Sequence, residues 1–232
     1  MQSARIADLL TPFLEEGTGR KPATEALLRD ISMYIDLLLR WNARINLTAI
    51  RDPEEIVTRH FGESLFAARH VFPEASSGRE TEKNSSALSA YSAVKAVDSV
   101  ADVGSGAGFP GLPIKLWAPQ VALTLVESNH KKATFLREVT RALTLTDVNI
   151  QNARAEDLPP TQRFNVVTLR AVEHFADTLP LATNLLAPSG RLALLIGTAQ
   201  LDQARSILPT FQWDAPVHIP QSTSRALLIG QK

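Results

Sequence analysis

The chain has 232 residues, 24 basic against 24 acidic side chains, and 44% hydrophobic residues, which suits a globular protein with a sizeable core. It has no cysteine, and that excludes disulfides, thiolate zinc sites and a cysteine nucleophile. Zero net charge lends no support to a nucleic-acid partner, although a basic patch can hide inside a neutral total.

In chain order, residues 3–16 read as a helix. A longer one starts near Thr24 and runs past Trp41, because Leu27, Leu28, Ile31, Ile35, Leu38, Leu39 and Ile45 recur at helical spacing. Asp52-Pro53-Glu54-Glu55 is a strong start signal, with a cap, a proline at the first position and acids in the first turn. The helix it opens carries Arg59, His60 and Glu63. Residues 75–93 turn to Ser, Ala, Gly, Glu and Lys without periodicity, and read as a loop or linker. The expected division is a helical extension over 1–75, a Ser-rich loop over 76–96, and one further domain over 97–232.

Beyond the loop, strands are expected at 97–103, 121–127, 147–152, 164–169 and 190–196, with helices at 111–117, 129–144, 175–187 and 198–208. Such alternation predicts an α/β fold, a doubly wound, mostly parallel sheet with helices on both faces. Phe211–Ile219 and Ser224–Gly230 read as a closing antiparallel hairpin. No leader is visible at the N-terminus, and no apolar run approaches the ~20 residues of a bilayer span. The five histidines are scattered without an i, i+4 pair, so no metal is expected. A cytoplasmic protein without a membrane partner is the resulting expectation, as a monomer for want of an extra apolar helix face.

The most informative segment is Asp102-Val-Gly-Ser-Gly-Ala-Gly-Phe-Pro-Gly111, between a strand and a helix. A glycine-dense turn there lets backbone approach a ligand, and the helix start offers unpaired amides. Gly106-x-Gly108-x-x-Gly111 formally matches the dinucleotide fingerprint, and Glu127 follows at the distance of a ribose-binding acid. A nicotinamide or flavin site is one reading. An S-adenosylmethionine site is another, with Asp102 placed to meet the methionine ammonium and Glu127 the ribose. A tight turn with no ligand is the third, and so many glycines and prolines weigh against it.

The segment Leu39-Arg40-Trp41-Asn42-Ala43-Arg44-Ile45-Asn46-Leu47-Thr48-Ala49-Ile50 then adds a second signature. With Arg59-His60, Ser64-Leu65, the Asp102–Gly111 loop, Lys131–Glu138, Arg154-Ala155-Glu156, Val167–Ala171 and Pro188–Arg191, it resembles the RsmG (GidB) family. These are bacterial small-subunit ribosomal RNA guanine-N7 methyltransferases. The likeness spans about Ala26 to Lys232, apart from the Ser-rich stretch. It implies a class I, Rossmann-like methyltransferase fold, S-adenosylmethionine as cofactor, and 16S rRNA or the small ribosomal subunit as partner. By matching position, Gly104, Gly106 and Phe109 line the methionine and ribose, and Ala155 and Glu156 meet the adenine. Arg170 reaches cofactor or guanine.

Transfer to guanine N7 needs no general base, because N7 already carries a lone pair. Catalysis then rests on positioning, and a cation near O6 suits docking by the N7/O6 edge. Arg170 and Arg225 are the candidates, with a salt bridge to Glu156 or Glu173 as the competing reading for Arg225. His130, Lys131, Lys132, Arg137 and Arg141 form a basic helix edge that suits phosphates, or only a solvated face. His60 reads as an RNA contact or an organiser of the helical cap, and Trp41 and Asn46 as residues fixing that cap. The family pattern has Asp, Ser and Lys where this chain has Glu63, Leu169 and Ile196. A hydroxyl and an amine are thus expected to be missing near the substrate mouth. That motivates a rival reading, a cofactor-binding ribosome factor that has lost transfer.

Overall fold

The structure is a computed structural model that describes residues 1–15, 22–73, 98–171 and 174–232. The expected Ser-rich loop over 76–96 therefore lies wholly outside the described residues. Helices α1 (Ser3–Leu14) and α2 (Glu25–Asn42) come first. A continuous helical run follows as α3 (Pro53–Glu55), a π-helical stretch over Ile56–Gly62, and α4 (Glu63–Val71). Thr24 caps α2 by accepting from the Leu27 amide, and Asp52 caps α3 by accepting from the Glu55 amide, as their hydroxyl and carboxylate chemistry favours.

The second half alternates as expected: β1 (Ser99–Val103), α5 (Gly111–Trp117), β2 (Ala122–Val126), α6 (His130–Ala142), β3 (Val148–Gln151), β4 (Phe164–Arg170), α7 (Phe175–Asn184), β5 (Leu186–Gly197), α8 (Leu201–Ile207), β6 (Gln212–Trp213), β7 (Val217–His218) and β8 (Arg225–Gln231). The sheet order is β3-β2-β1-β4-β5-β8-β6, with β7 also paired to β8. The first five strands are parallel and β8 runs antiparallel to β5. Two boundaries differ from the sequence reading. Strand β5 starts at Leu186, with an irregular register between Phe164 and Val166 on its partner, so α7 ends earlier than expected. The first arm of the expected hairpin is split into β6 and β7 by Asp214-Ala215-Pro216, where proline cannot donate to a ladder.

Alternation along the strands sorts the core into two layers. Val100, Leu125, Val166, Leu195 and Leu227 face the layer shared with α1, α2, α4, α5 and α6. Ala101, Val126, Val167, Leu194 and Leu228 face α7 and α8. The N-terminal helices thus share one core with the sheet. Leu169 and Ile196 are buried in the second layer, at 0% and 4% exposure. This corrects the expectation that they border a substrate mouth. Their neighbours Arg170 and Leu195 point the other way, since successive strand residues face opposite sides.

Helix α1 docks through Ile6, Leu10, Phe13 and Leu14, a single apolar stripe. Its Phe13 ring lies where a Cβ on Gly62 would be, 2.6 Å from the nearest ring atoms. Gly62→Ala should therefore push α1 off the π-helical stretch and lower stability by about 1–3 kcal/mol. A urea unfolding midpoint equal to that of the parent would contradict this packing.

Candidate functional site

At the C-terminal end of β1 the chain turns sharply. The amides of Gly104 and Ser105 donate to the Val126 carbonyl at 2.9 and 3.1 Å, crossing to the end of β2. Gly106 adopts φ +56° and Gly108 φ +89°, a region side chains disfavour. The Gly106 amide donates to Glu127 Oε2 at 2.8 Å, and the Asn129 amide to Glu127 Oε1 at 2.7 Å. A carboxylate has further lone pairs, so Glu127 retains capacity toward a ligand.

The helical extension braces this turn. The Tyr34 hydroxyl, from α2, donates to the Ala107 carbonyl at 2.5 Å. A Cβ on Gly108 would collide with that hydroxyl. Phe109 is sandwiched between Tyr34 (5.4 Å between centroids, 10° between planes) and His60 (4.7 Å, 18°), with Phe61 edge-on.

Asp102 lies beneath the turn and does not line the cavity that the turn borders. It is 1% exposed, and its carboxylate accepts from Thr168 Oγ1 at 2.8 Å and from the Gly111 amide at 3.1 Å. A Cβ on Gly111 would lie 2.8 Å from Asp102 Oδ2. Burial is the main influence on this carboxyl and pushes its pKa up to about 6, against the pull of its hydrogen bonds.

The cavity has a volume of about 530 Å³, within the usual range of small-molecule sites. Its lining includes Gly104, Gly106, Glu127, Lys132, Ala155 and Glu156, together with a second group, Thr48, His60, Phe109 and Arg170, that touch one another. The second group rests on an ion cluster centred on a buried carboxylate. Glu63, at 1% exposure, meets Arg59 at 3.3 Å, Arg170 at 3.2 Å and Arg225 at 2.5 Å. Glu55 adds a second carboxylate 3.5 Å from Arg59, leaving three guanidiniums against two carboxylates. Arg170 Nη2 also donates to the Arg59 carbonyl and to His60 Nδ1, the latter at 3.3 Å. Burial, with the Arg170, Arg59 and Arg225 charges, lowers the His60 pKa to about 3. The ring is therefore neutral and unsuited to carry a proton at neutral pH.

A sequence model of the GidB family, rRNA small subunit methyltransferase G, matches residues 27–77 and 83–224. The chain belongs to this family. It is 32% identical over 231 residues to ribosomal RNA small subunit methyltransferase G of Xylella fastidiosa strain 9a5c, covering 99% of this chain and 98% of that protein. The namesake from Stenotrophomonas maltophilia is 37% identical over 184 residues, 79% of this chain and 76% of the relative. Among solved structures, a SAM dependent methyltransferase from Aquifex aeolicus aligns over 78% of this chain and 93% of its own, with TM-score 0.54 at 15% identity. Ribosomal protein L11 methylase from Lactobacillus delbrueckii subsp. bulgaricus gives TM-score 0.54 at 16% identity over 74% and 79%. These two likenesses concern the fold, a methyltransferase-type α/β sheet, which is the fold class expected from the sequence.

Within this family member, the sequence-predicted residues Gly104, Gly106, Phe109, Glu127, Ala155, Glu156, Lys132 and Arg170 all border the one cavity. Lys131 is exposed on α6 and Arg225 lies behind Glu63, and neither lines it. Arg225 pairs with Glu63 rather than with Glu156, while Glu173 lies outside the described residues. Asn46 is exposed, and Asn42 takes the anchoring role expected of it: its Oδ1 accepts from the Leu47 and Thr48 amides and its Nδ2 donates to the Thr48 carbonyl. Trp41 does pack on α6, edge-on to Phe135 at 5.8 Å. Tyr34 was not singled out in the sequence, and Thr48 stood there only as part of the Leu39–Ile50 signature, with no role of its own. Tyr34 interrupts the aliphatic stripe of α2 with a phenol, and a buried phenol needs a partner.

Asp102 generates a pH prediction. Its folded pKa of about 6 exceeds the ordinary 3.8, so the folded state holds this proton more tightly. The stabilisation is complete below the unfolded pKa and lost as pH rises through the folded one. Asp102→Asn keeps a neutral group, so from about pH 4 to about pH 7 the parent should lose on the order of 1–3 kcal/mol relative to the variant. Parallel stability curves in chemical denaturation would refute the buried-carboxyl account.

Proposed function

We propose that the chain transfers a methyl group from S-adenosylmethionine to N7 of a guanine in 16S rRNA of the small ribosomal subunit. Membership of the rRNA small subunit methyltransferase G family, joined to a cavity lined both by the glycine turn with Glu127 and by His60, Phe109 and Arg170, carries this reading. S-adenosylmethionine supplies, when bound, an electrophilic methyl on a sulfonium centre.

The residues fit that cofactor. Glu127 is fixed by two backbone amides at the end of β2 and offers its remaining lone pairs to ribose hydroxyls. Gly104 and Gly106 keep side chains out of the cradle, and Ala155 and Glu156 border the adenine side. Asp102 acts from below, by tying the Gly111 amide and Thr168 to the end of β1.

In the second group of lining residues, neutral His60, Phe109 and Thr48 form a wall for the base. Arg170 and Arg225 work through this wall, holding His60 and Glu63 and leaving a local surplus of positive charge that favours RNA phosphate. No proton has to leave guanine N7 before attack, and His60 is not placed to take one. The chain's contribution is alignment, which alone can supply ~7–11 kcal/mol of barrier lowering.

Residues 1–75 then serve as the helical extension that builds the base-side wall, and residues 97–232 as the methyltransferase domain. The rival reading of a retired enzyme loses its motivation, because Leu169 and Ile196 are core residues. No helix among the described residues is long and apolar enough to cross a membrane, and their only exposed large apolar side chains are Met33 and Val217. A monomer acting on ribosomal subunits in the cytoplasm accords with both.

Incubation with methyl-labelled S-adenosylmethionine and small subunits lacking guanine methylation should place label in 7-methylguanosine. Cofactor binding without transfer would overturn the proposal. Glu127→Gln should raise the cofactor dissociation constant about 10- to 100-fold, as expected for losing hydrogen bonds to a charged acceptor, measured by calorimetric titration.

A further inference from the structure

We infer that the Thr48 hydroxyl is a donor-only group that reads O6 of the target base and so selects guanine over adenine. This assignment rests on the methyl-transfer reading above and extends it to base choice.

The chain of hydrogen bonds starts at Arg170. Arg170 Nη2 donates to the Arg59 carbonyl and to Glu63 Oε2 and also faces His60 Nδ1 at 3.3 Å. A guanidinium has no lone pair to offer a ring N–H, so we assign the lone pair of the neutral ring to Nδ1. The His60 ring is neutral, held far below its ordinary pKa by burial and by three arginines. Its single proton is therefore on Nε2, which lies 2.8 Å from Thr48 Oγ1 and donates to it. The Ile50 amide donates to the same oxygen at 3.1 Å. Two incoming bonds use both acceptor positions of a hydroxyl. The hydroxyl proton of Thr48 remains, and no acceptor among the described residues takes it.

Its placement is equally constrained. Buried Asn42 receives the Thr48 amide at 3.1 Å and donates to the Thr48 carbonyl at 2.9 Å, which pins an irregular segment. Thr48 borders the cavity beside His60 and Arg170, so the unused proton belongs to the base-side wall.

A hydroxyl ordinarily serves either a donor or an acceptor on a base. Here the acceptor role is spent. On the edge that carries N7, guanine presents the O6 acceptor and adenine the N6 amine donor. N7 itself must keep its lone pair for the methyl group, which leaves O6 as the atom a lone donor can serve. Adenine would set its amine against a hydroxyl with no lone pair left.

The test compares the parent, Thr48→Ser and Thr48→Val on small subunits carrying guanine at the mapped target, and on subunits carrying 2-aminopurine there. The latter base keeps N7 and lacks O6. On guanine, Thr48→Val should lose about 10- to 100-fold in kcat/KM, the size of one well-placed bond to a base edge, and Thr48→Ser should recover most of it. On 2-aminopurine the parent should fall by a similar factor, and the Thr48→Val penalty should vanish. A Thr48→Val penalty of equal size on both bases would overturn the assignment, because the hydroxyl would then act on the protein alone. A parent equally active on both bases would overturn it without any variant. A parent that transfers to neither base would instead overturn the methyl-transfer reading beneath it.

Discussion

Glu63 joins three arginines that arrive from three parts of the chain: Arg59 from the π-helical stretch, Arg170 from the end of β4 and Arg225 from the start of β8. One carboxylate at 1% exposure could not be left charged without such partners. The three guanidiniums could not crowd together without it. Removing the Glu63 carboxylate would leave Arg170, 12% exposed, and Arg225, 24% exposed, without that partner. The geometric consequence of the cluster is to tie the π-helical stretch and the start of α4 to the end of β4 and the start of β8, in a placement that stacks His60 on Phe109.

A second tie works from below. Tyr34 reaches from α2 to the Ala107 carbonyl, and Gly108 is the one residue small enough to admit that hydroxyl. The N-terminal helices are therefore part of the glycine turn's own construction. Without them Phe109 would lose both of its stacking partners, Tyr34 and His60. Asp102 performs the matching service on the sheet side, through Gly111 and Thr168. The turn is held between two buried polar groups, one from each half of the chain.

The order of elements was legible because it depends on local pattern: Asp52-Pro53 as a helix start, Thr24 as a cap, and β-branched runs separated by helical periods. Boundaries at β5 and in the hairpin were not, because they follow from register and from where Pro216 interrupts a ladder. The cavity-lining role of the glycine turn and Glu127 was readable from spacing, and that of Ala155-Glu156 only from the family resemblance. The burial of Asp102 was not, since a carboxylate at a strand end looks the same in sequence whether it faces a ligand or a helix amide. Leu169 and Ile196 were misread for want of parity. Val167-Thr168-Leu169-Arg170 alternates strictly, and if Arg170 faces the site then Leu169 faces away from it.

The absence of a base in the wall follows from the same electrostatics. Burial first, and the Arg170, Arg59 and Arg225 charges after it, keep His60 neutral. Burial and charge near the site thus hold the ring neutral in place of moving a proton. That outcome suits a reaction in which the nucleophile is already a lone pair. A site that had to deprotonate its substrate would need His60 free to titrate near neutrality, and its burial, with the charges of the ion cluster, prevents that. The ion cluster that ties these elements together thus also reinforces the protonation state that burial sets.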